Sequence, residues 1–527
     1  MTKPLRNRAR RSPTSLRVAS GLGMDVPELQ RARTLWTLNR FDESLQLFDQ
    51  AVRKYPQNLL ALTDAARAFG VRFEIARAEE LLDRLMALGA RNATVLQMAG
   101  QSYRMIFRPE KATECFERAL VLSRNLPDVH LELAVSNERR HLLGEALASV
   151  EECLRRAPDY KEARLFQGRL FRRLNRTSES ESVFRALTSD EQAHPLVRAQ
   201  AWTEIAQELD RQGQYDEAMQ AMRRGKEFLL PRAEPFRRES EAVQGILRTL
   251  TENVTLAHFQ RWAEAAGTLP PRKVALLTSF PRSGTTLLEQ ALDSHPGVVS
   301  SDEREAFARD IFPAMWMTPS TLAPTVEALD VIPLERLSGQ RQRYLAYMAA
   351  ALNEPIGERV HLDKNPPFTL LIPALFRLFP EIKLLIALRD PRDVVLSCFM
   401  QYLPLNTNSV CYLSLESAAE RYAHDLGVWR RLREIFPPQW LEVRYEDTVV
   451  SFESETRRAL EFLGLPWDTQ VLCYRERLQS KAVSSPTYEA VRKPLYTTSI
   501  GRWRHYEKYL AALAERLRPF IEAFGYG

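Results

Sequence analysis

The sequence predicts an all-α solenoid of repeats followed by an α/β domain with a central parallel sheet. Three observations support this prediction. Small and large apolar residues recur at a fixed spacing of 34 in the N-terminal half. From Val274 onward, short apolar runs alternate with helical stretches. One strand–turn–helix segment, Val274–Leu288, has the composition of an anion-binding loop. A chain of 527 residues is long enough for two or more domains.

The N-terminal segment, residues 1–23, is basic and lacks the apolar run of a signal peptide. We expect a disordered tail there, and its use against acidic partners stays open. The net charge of +6 is too diffuse to indicate nucleic-acid binding. We expect no membrane span and no metal site. The five cysteines have no metal or redox spacing, so a reducing, cytoplasmic location is expected.

Residues 24–232 are predicted to form a helical repeat domain. Large apolar residues follow four positions after each small residue, and a sixth unit begins at Tyr215. This pattern is typical of tetratricopeptide (TPR) repeats, in which the small residue lets two helices approach; it predicts about six of them. The groove is predicted to bind a peptide or partner protein; a scaffold or homodimer role remains an alternative. The small residues are Ser44, Ala78, Ala112, Ala146 and Ser180.

Residues 233–270 are predicted to be a linker helix, which ends at the Gly/Pro-rich stretch Gly267–Arg272. Residues 271–527 then form the predicted α/β domain. Parallel sheets bind ligands at the carboxyl ends of their strands, so the polar residues after each strand are the functional candidates. The predicted strands are Val274–Leu277, Arg359–Leu362, Lys383–Leu388 and Trp440–Val443.

The turn Pro281–Gly284 joins the first predicted strand to a helix that begins at Thr285. Backbone N–H groups and the positive helix end would face an anion there, as in a P-loop. Arg282 adds a charged fork, and Thr285 and Thr286 add hydroxyls. No Lys follows Gly284, so the turn is not a Walker A loop, which disfavours an NTP–Mg²⁺ enzyme such as a kinase.

The segment Thr278–Leu288 resembles the 5′-phosphosulfate loop of PAPS-dependent sulfotransferases, where PAPS is 3′-phosphoadenosine 5′-phosphosulfate. With Leu292–Pro296 it is most similar to the protein-tyrosine sulfotransferase branch, and the whole layout resembles TPR-containing sulfotransferases. The resemblance implies PAPS as co-substrate, 3′,5′-ADP as product and no metal. It assigns cofactor binding to Ser279, Pro281, Arg282, Ser283, Gly284, Thr285 and Thr286.

Three later motifs extend the resemblance. Arg389 and Ser397 correspond to the family residues that hold the 3′-phosphate of PAPS. Tyr445 corresponds to an aromatic residue beside the adenine. Arg502, within Ser499–Tyr506, corresponds to the segment that closes over the nucleotide. An Arg fork suits bidentate phosphate binding.

The resemblance also implies catalytic roles. Glu303 would be the base, with Asp302 and Glu305 as near rivals. Lys364 would contact the bridging oxygen of PAPS. Thr487 would bind the same leaving group, and Arg282 would face the transferred group. Glu305 stands where the family has an Arg.

We therefore expect a sulfotransferase that modifies an acceptor hydroxyl, with a peptide or protein, tyrosine included, recruited by the repeats. Two alternatives remain open. The acceptor could be a glycan, a lipid or a small phenol, with the repeats used for assembly. The chain could also be a non-catalytic TPR scaffold with a nucleotide-binding domain.

Overall fold

A computed structural model describes residues 23–318, 323–480 and 497–527. These residues form two compact units. The first ends at Leu170 and includes the later segment Ala346–Pro355; the second holds Phe171–Leu345 and Ile356–Gly527. The expected basic tail, apart from Gly23, lies outside the described residues, and so does Thr487. The domain boundary predicted at residue 232 stays a prediction.

The helices of the repeat region come in successive pairs, as the 34-residue period predicts. The small residue of each second helix is buried, because the first helix packs against it. The helices are α1 (Pro27–Thr37), α2 (Phe41–Lys54), α3 (Leu59–Val71), α4 (Ile75–Gly89), α5 (Ala93–Met105), α6 (Pro109–Leu122), α7 (Pro127–Arg139), α8 (Leu143–Arg156), α9 (Lys161–Arg173), α10 (Thr177–Ser189), α11 (Pro195–Arg211) and α12 (Tyr215–Glu227).

The turns inside the helix pairs repeat their backbone conformation with the same period. One residue in each turn has a positive φ, between 60° and 63° in the first five pairs. Gly213 takes this position in the last pair, with φ 76°. Glycine adopts this left-handed conformation without strain. The residues of the first five turns are Asn39, Phe73, Phe107, His141 and Asn175.

The segment predicted as one linker helix is two helices, α13 (Glu234–Asn253) and α14 (Leu256–Ala265). The prediction of a single helix over residues 233–270 is wrong at Val254–Thr255. Thr255 there forms a capping box with His258 and so starts a new helix. Phe259 and Trp262 of α14 are buried. The segment is therefore part of a packed core.

A five-stranded sheet lies at the centre of the α/β part of the second unit, in the order β2-β3-β1-β4-β5 within the described residues. All its strand pairs are parallel, and the residues of β1 are fully buried. The four predicted strands are present, and one edge strand was missed. The strands are β1 (Val274–Ser279), β2 (Val298–Ser300), β3 (Val360–Lys364), β4 (Lys383–Leu388) and β5 (Trp440–Arg444).

Helices connect the strands and cover the sheet, so the predicted fold class is confirmed. The described part of the chain has no helix with the length and apolar character needed to cross a bilayer. The remaining α-helices are α15 (Thr285–Asp293), α16 (Phe312–Trp316), α17 (Val326–Asp330), α18 (Leu334–Leu352), α19 (Ile372–Leu378), α20 (Pro391–Phe399), α21 (Leu415–Ile435), α22 (Tyr445–Val450), α23 (Phe452–Leu463), α24 (Tyr474–Ser480), α25 (Glu507–Leu510) and α26 (Ala514–Ala523).

Candidate functional site

A cavity of about 1360 Å³ opens where the carboxyl ends of the parallel strands meet. This is the place where open parallel sheets bind ligands. Most of the predicted site residues line it, although they come from distant parts of the sequence. They are Pro281, Arg282, Gly284, Thr285, Thr286, Glu303, Arg389, Ser397, Tyr445 and Arg502. Ser279 and Ser283 are buried and are not among the lining residues.

The turn after β1 has an unusual backbone. Arg282 has φ 73° and Gly284 has φ 91°. A non-glycine residue with positive φ costs about 1–3 kcal/mol, and such residues occur at functional sites as well as in tight turns such as those of the repeats. A Cβ atom at position 284 would lie 2.5 Å from Cδ2 of Tyr445, so a side chain there would collide with that ring. At the start of α15 the N–H of Leu287 bonds to the carbonyl of Gly284 at 3.1 Å, while the N–H groups of Thr285 and Thr286 precede the first hydrogen bond of the helix, a position that suits an anion.

Arg389 links the turn after β1 to the segment Ser499–Tyr506, called the C-terminal segment below. Its Nη1 donates to the carbonyl of Arg282 at 3.1 Å, and its Nη2 donates to the carbonyl of Ser499 at 2.6 Å. Its Nε is buried and has no hydrogen-bond partner among the described residues. Nε of Arg282 donates to Oγ of Ser397 at 3.1 Å. The structure thus brings together the residues assigned to the 3′-phosphate.

An apolar pocket lies beside these arginines. Tyr445 stacks against Arg389, whose guanidinium carbon is 4.8 Å from the ring centroid, and its hydroxyl hydrogen-bonds to Oγ of Ser499 at 2.7 Å. Tyr474 was missed by the sequence analysis, because it follows no strand. Its hydroxyl is buried without a partner among the described residues. A flat apolar group with polar edges fits this pocket. Leu287, Val449, Tyr474 and Ile500 complete its lining.

Lys364 is fully buried at the end of β3. Its Nζ lies 2.7 Å from Oε1 of Glu303, 2.9 Å from Oδ1 of Asp302 and 3.3 Å from Oε2 of Glu289. Burial alone would lower the pKa of Lys364, but the three carboxylates outweigh it and raise that pKa. Lys364 is therefore a permanent cation, held among carboxylates rather than exposed on the cavity wall.

The loop after β2 separates the three candidate bases. Asp302 has φ 57° and its side chain is only 12% exposed beside Lys364. Glu303 lines the cavity with a side chain that is 40% exposed. Glu305 also lines the cavity, but it pairs with Arg309 at 3.4 Å on the following helical turn. Of the three, Glu303 combines access to the cavity with a buried cation behind it.

The C-terminal segment is fixed by α20. The backbone N–H groups of Gly501 and Trp503 donate to the carboxylate of Asp393 at 2.7 and 2.8 Å. Asp393 was not predicted as a site residue; its spacing of four residues from Ser397 on one helix is the signal that places both on the same face. The segment thereby brings Arg502 to the cavity. No group of His, Cys, Asp and Glu suited to a metal ion occurs in the described ranges.

Comparison with known proteins agrees with this geometry. A model of the sulfotransferase family matches residues 275–469, and a tetratricopeptide-repeat model matches residues 29–93, 131–195 and 167–228. The chain is 29% identical over 238 residues to protein-tyrosine sulfotransferase 1 of Danio rerio, a match that covers 42% of this chain and 63% of that protein. It is 25% identical over 347 residues to an uncharacterized protein of Aquifex aeolicus, covering 65% of this chain and 44% of that one.

The chain thus spans less than two thirds of the length of either relative. Among solved structures, the sulfotransferase domain of the Synechococcus PCC 7002 olefin synthase is 22% identical, with a TM-score of 0.35, and the match covers 49% of this chain and 96% of that domain. The family matches confirm the resemblance described from the motifs: the chain carries a domain of the sulfotransferase family at residues 275–469, preceded by tetratricopeptide repeats.

Proposed function

We propose that this chain transfers a sulfuryl group from PAPS to an acceptor hydroxyl on a peptide or protein. The observation that carries the proposal is the pairing of Glu303, which lines the cavity, with the buried Lys364 behind it, while Arg282 and Arg389 line the same cavity. Glu303 can accept a proton, and the two arginines can bind phosphates. Sulfuryl transfer needs both of these functions.

The residues of the cavity fit PAPS. The turn Pro281–Thr286 would hold the 5′-phosphosulfate through backbone N–H groups and hydroxyls. Arg389, with an unused buried Nε, and Ser397 would hold the 3′-phosphate. The apolar pocket formed with Tyr445 and Tyr474 would take the adenine. When bound, PAPS supplies an activated sulfuryl group, and 3′,5′-ADP is its product.

Glu303 takes the proton of the acceptor hydroxyl on its carboxylate in this proposal. Lys364 fixes the position of that carboxylate, because its Nζ donates to Oε1 of Glu303 at 2.7 Å. Arg282 stabilises negative charge on the transferred group. Thr487, assigned by the resemblance to the leaving group, stays a prediction.

The repeats and the relatives support a protein acceptor. TPR arrays are typical peptide- and protein-binding scaffolds, and a relative at 29% identity is named protein-tyrosine sulfotransferase 1. We extend the proposal to a reducing compartment such as the cytoplasm, since all five cysteines have free thiols. Homodimerisation remains a further prediction.

The test is transfer of radiolabelled sulfate from PAPS to peptide, glycan and lipid panels, together with calorimetry of 3′,5′-ADP. We expect label on peptide hydroxyls. Glu303→Gln should lower turnover about 100-fold or more, since a general base contributes that much. Its affinity for 3′,5′-ADP should stay within about twofold, because the change leaves the arginines in place. Glu305→Gln is the matched control and should change turnover little.

Three results would count against the proposal. Absence of 3′,5′-ADP binding would show that the cavity is not a nucleotide-binding site. Label found on glycans or lipids alone would rule out a peptide acceptor but would still support sulfuryl transfer. Full turnover in Glu303→Gln, with loss in Glu305→Gln, would move the base to Glu305.

A further inference from the structure

The last helix pair of the repeat region contributes to the wall of the cavity. Asp210 and Arg211 end α11, and Tyr215 begins α12; all three line the same cavity as the turn after β1. They belong to the same compact unit as the sheet. The sequence analysis assigned these helices to the repeats alone.

One oxygen of Asp210 holds two residues of the C-terminal segment. Its Oδ1 accepts a hydrogen bond from the hydroxyl of Tyr506 at 2.6 Å. The same oxygen lies 2.8 Å from Nη2 and 3.3 Å from Nε of Arg502. Tyr215 stacks on His505, with ring centroids 4.3 Å apart. The segment that the resemblance places over the nucleotide is thus fastened to the last repeat.

The pairing fixes the direction of Arg502. Its side chain is 25% exposed and that of Asp210 is 16% exposed, so both are largely shielded from water. Asp210 binds one edge of the guanidinium, through Nε and Nη2. The Nη1 group is on the other edge, and a guanidinium held on one edge can offer the other to an anion. Burial acts to lower the pKa of Arg502, but Asp210 outweighs it and raises that pKa.

We propose that Asp210 is a positioning residue that holds Arg502 for the 3′-phosphate of the nucleotide, so that the last repeat is part of the nucleotide site. This inference rests on the proposed function, because it takes the ligand to be a 3′-phosphorylated adenosine. Asp210 acts through Arg502 and touches no reacting atom. Loss of its carboxylate frees the guanidinium to rotate, and ordering it again on binding costs affinity.

A matched control for Asp210 lies on the next helix, α12. Asp216, at the start of α12, makes the same kind of pair with α25, the helix that directly follows the C-terminal segment. It accepts from Nζ of Lys508 at 2.7 Å and from the hydroxyl of Tyr509 at 2.8 Å. Asp216 does not line the cavity that contains the turn after β1. A role that is only structural would therefore be shared by Asp210 and Asp216, whereas a role in binding would belong to Asp210.

The experiment is calorimetry of the full chain with 3′,5′-ADP and with 5′-AMP, which lacks the 3′-phosphate. Asp210→Ala should weaken 3′,5′-ADP roughly 10-fold or more and leave 5′-AMP within about twofold. Asp210→Asn, which keeps an acceptor oxygen, should show a smaller loss. Asp216→Ala should bind both nucleotides as the unaltered chain does. In an Arg502→Ala background, Asp210→Ala should add no further loss.

Thermal unfolding of each variant separates misfolding from lost binding, and Asp210→Asn preserves the shape if Asp210→Ala fails to fold. Equal losses for 3′,5′-ADP and 5′-AMP would overturn the inference, and so would unchanged or tighter 3′,5′-ADP binding in Asp210→Ala. An additive loss in the Arg502→Ala background would overturn it as well. If the unaltered chain binds neither nucleotide, it is the proposed function that fails.

Discussion

The two charged regions of the cavity are built in opposite ways. Nζ of Lys364 is surrounded by three carboxylates, those of Glu289, Asp302 and Glu303. The hydrogen bonds described above for Arg282 and Arg389 go instead to Ser397 and to main-chain carbonyls, and Nε of Arg389 is buried without a hydrogen-bond partner among the described residues. The cation of the first region has anionic partners within the protein, whereas Arg389 in the second region keeps a buried donor without a partner among the described residues.

This difference indicates which region needs a ligand. A buried cation is costly unless it is paired, and the carboxylates supply that pairing for Lys364. Arg389 has a buried Nε donor without a hydrogen-bond partner among the described residues, so a phosphate would complete its site. Lys364 should therefore matter most to the stability of the fold, and Arg389 most to nucleotide affinity.

The largest expected effect is on stability. Lys364→Met removes the cation that lies 3.3 Å from Glu289 and 2.9 Å from Asp302, whose carboxylates are largely buried. We expect a loss of about 3–5 kcal/mol in the free energy of unfolding, measured with urea. Adding Glu289→Gln should recover part of that loss, because it removes one of the carboxylates that pair with Lys364.

Lys383→Met is the control for this prediction. Lys383 is also partly buried, but its Nζ donates to one carbonyl, that of Phe462, at 2.7 Å. Its loss should cost only about 1 kcal/mol. If Lys364→Met were as mild as Lys383→Met, the contrast between the two charged regions would be wrong.

A smaller effect is expected on binding. Arg389→Lys keeps the positive charge but cannot reach the carbonyls of Arg282 and Ser499 together. We expect affinity for 3′,5′-ADP to fall about tenfold, by calorimetry, with a minor change in stability. The control is Arg392→Lys, since Arg392 pairs with Asp390 and does not line the cavity. Equal losses in the two variants would contradict the assignment of Arg389.

Much of the fold followed from periodicity. The 34-residue spacing of Ser44, Ala78 and their counterparts predicts the helix pairs, because packing forces small residues to recur where helices touch. Four apolar runs predicted four strands. The strand Val298–Ser300 was missed, since three residues carry no periodic signal.

The site was only partly predictable. Arg282, Arg389 and Tyr445 each follow a predicted strand, and strand ends converge in a parallel sheet. Asp210 and Tyr474 follow no strand, and only tertiary packing brings them to the cavity. The burial of Lys364 was also not predicted, because it depends on Glu289, which reads as an ordinary helical residue in α15.

The smallest expected effect is the pH dependence of stability in the unaltered chain, where two residues of β3, the strand that carries Lys364, oppose each other. Burial lowers the pKa of His361 to about 3 and raises the pKa of Asp363 to about 6. Unfolded His and Asp titrate near about 6.5 and 3.9. As pH falls, His361 therefore takes up a proton at a higher pH in the unfolded chain than in the folded chain. The stability that neutral His361 contributes is thus lost as pH falls from 6.5 toward 3. For Asp363 the folded chain binds the proton first, so stability from Asp363 is present below about 3.9 and is lost as pH rises through 6.

The two contributions oppose each other between about pH 4 and 6, each with a slope of up to about 1.4 kcal/mol per pH unit. Relative to the unaltered chain, His361→Phe should gain stability on acidification across this window. Asp363→Asn should lose stability across the same window, and the double variant should follow the unaltered chain. Urea unfolding at pH 4, 5 and 6 measures these differences. Parallel pH profiles for the two single variants would mean that burial does not keep these side chains uncharged between pH 4 and 6. The carboxylates around Lys364 would then be more hydrated than the contrast between the two charged regions requires.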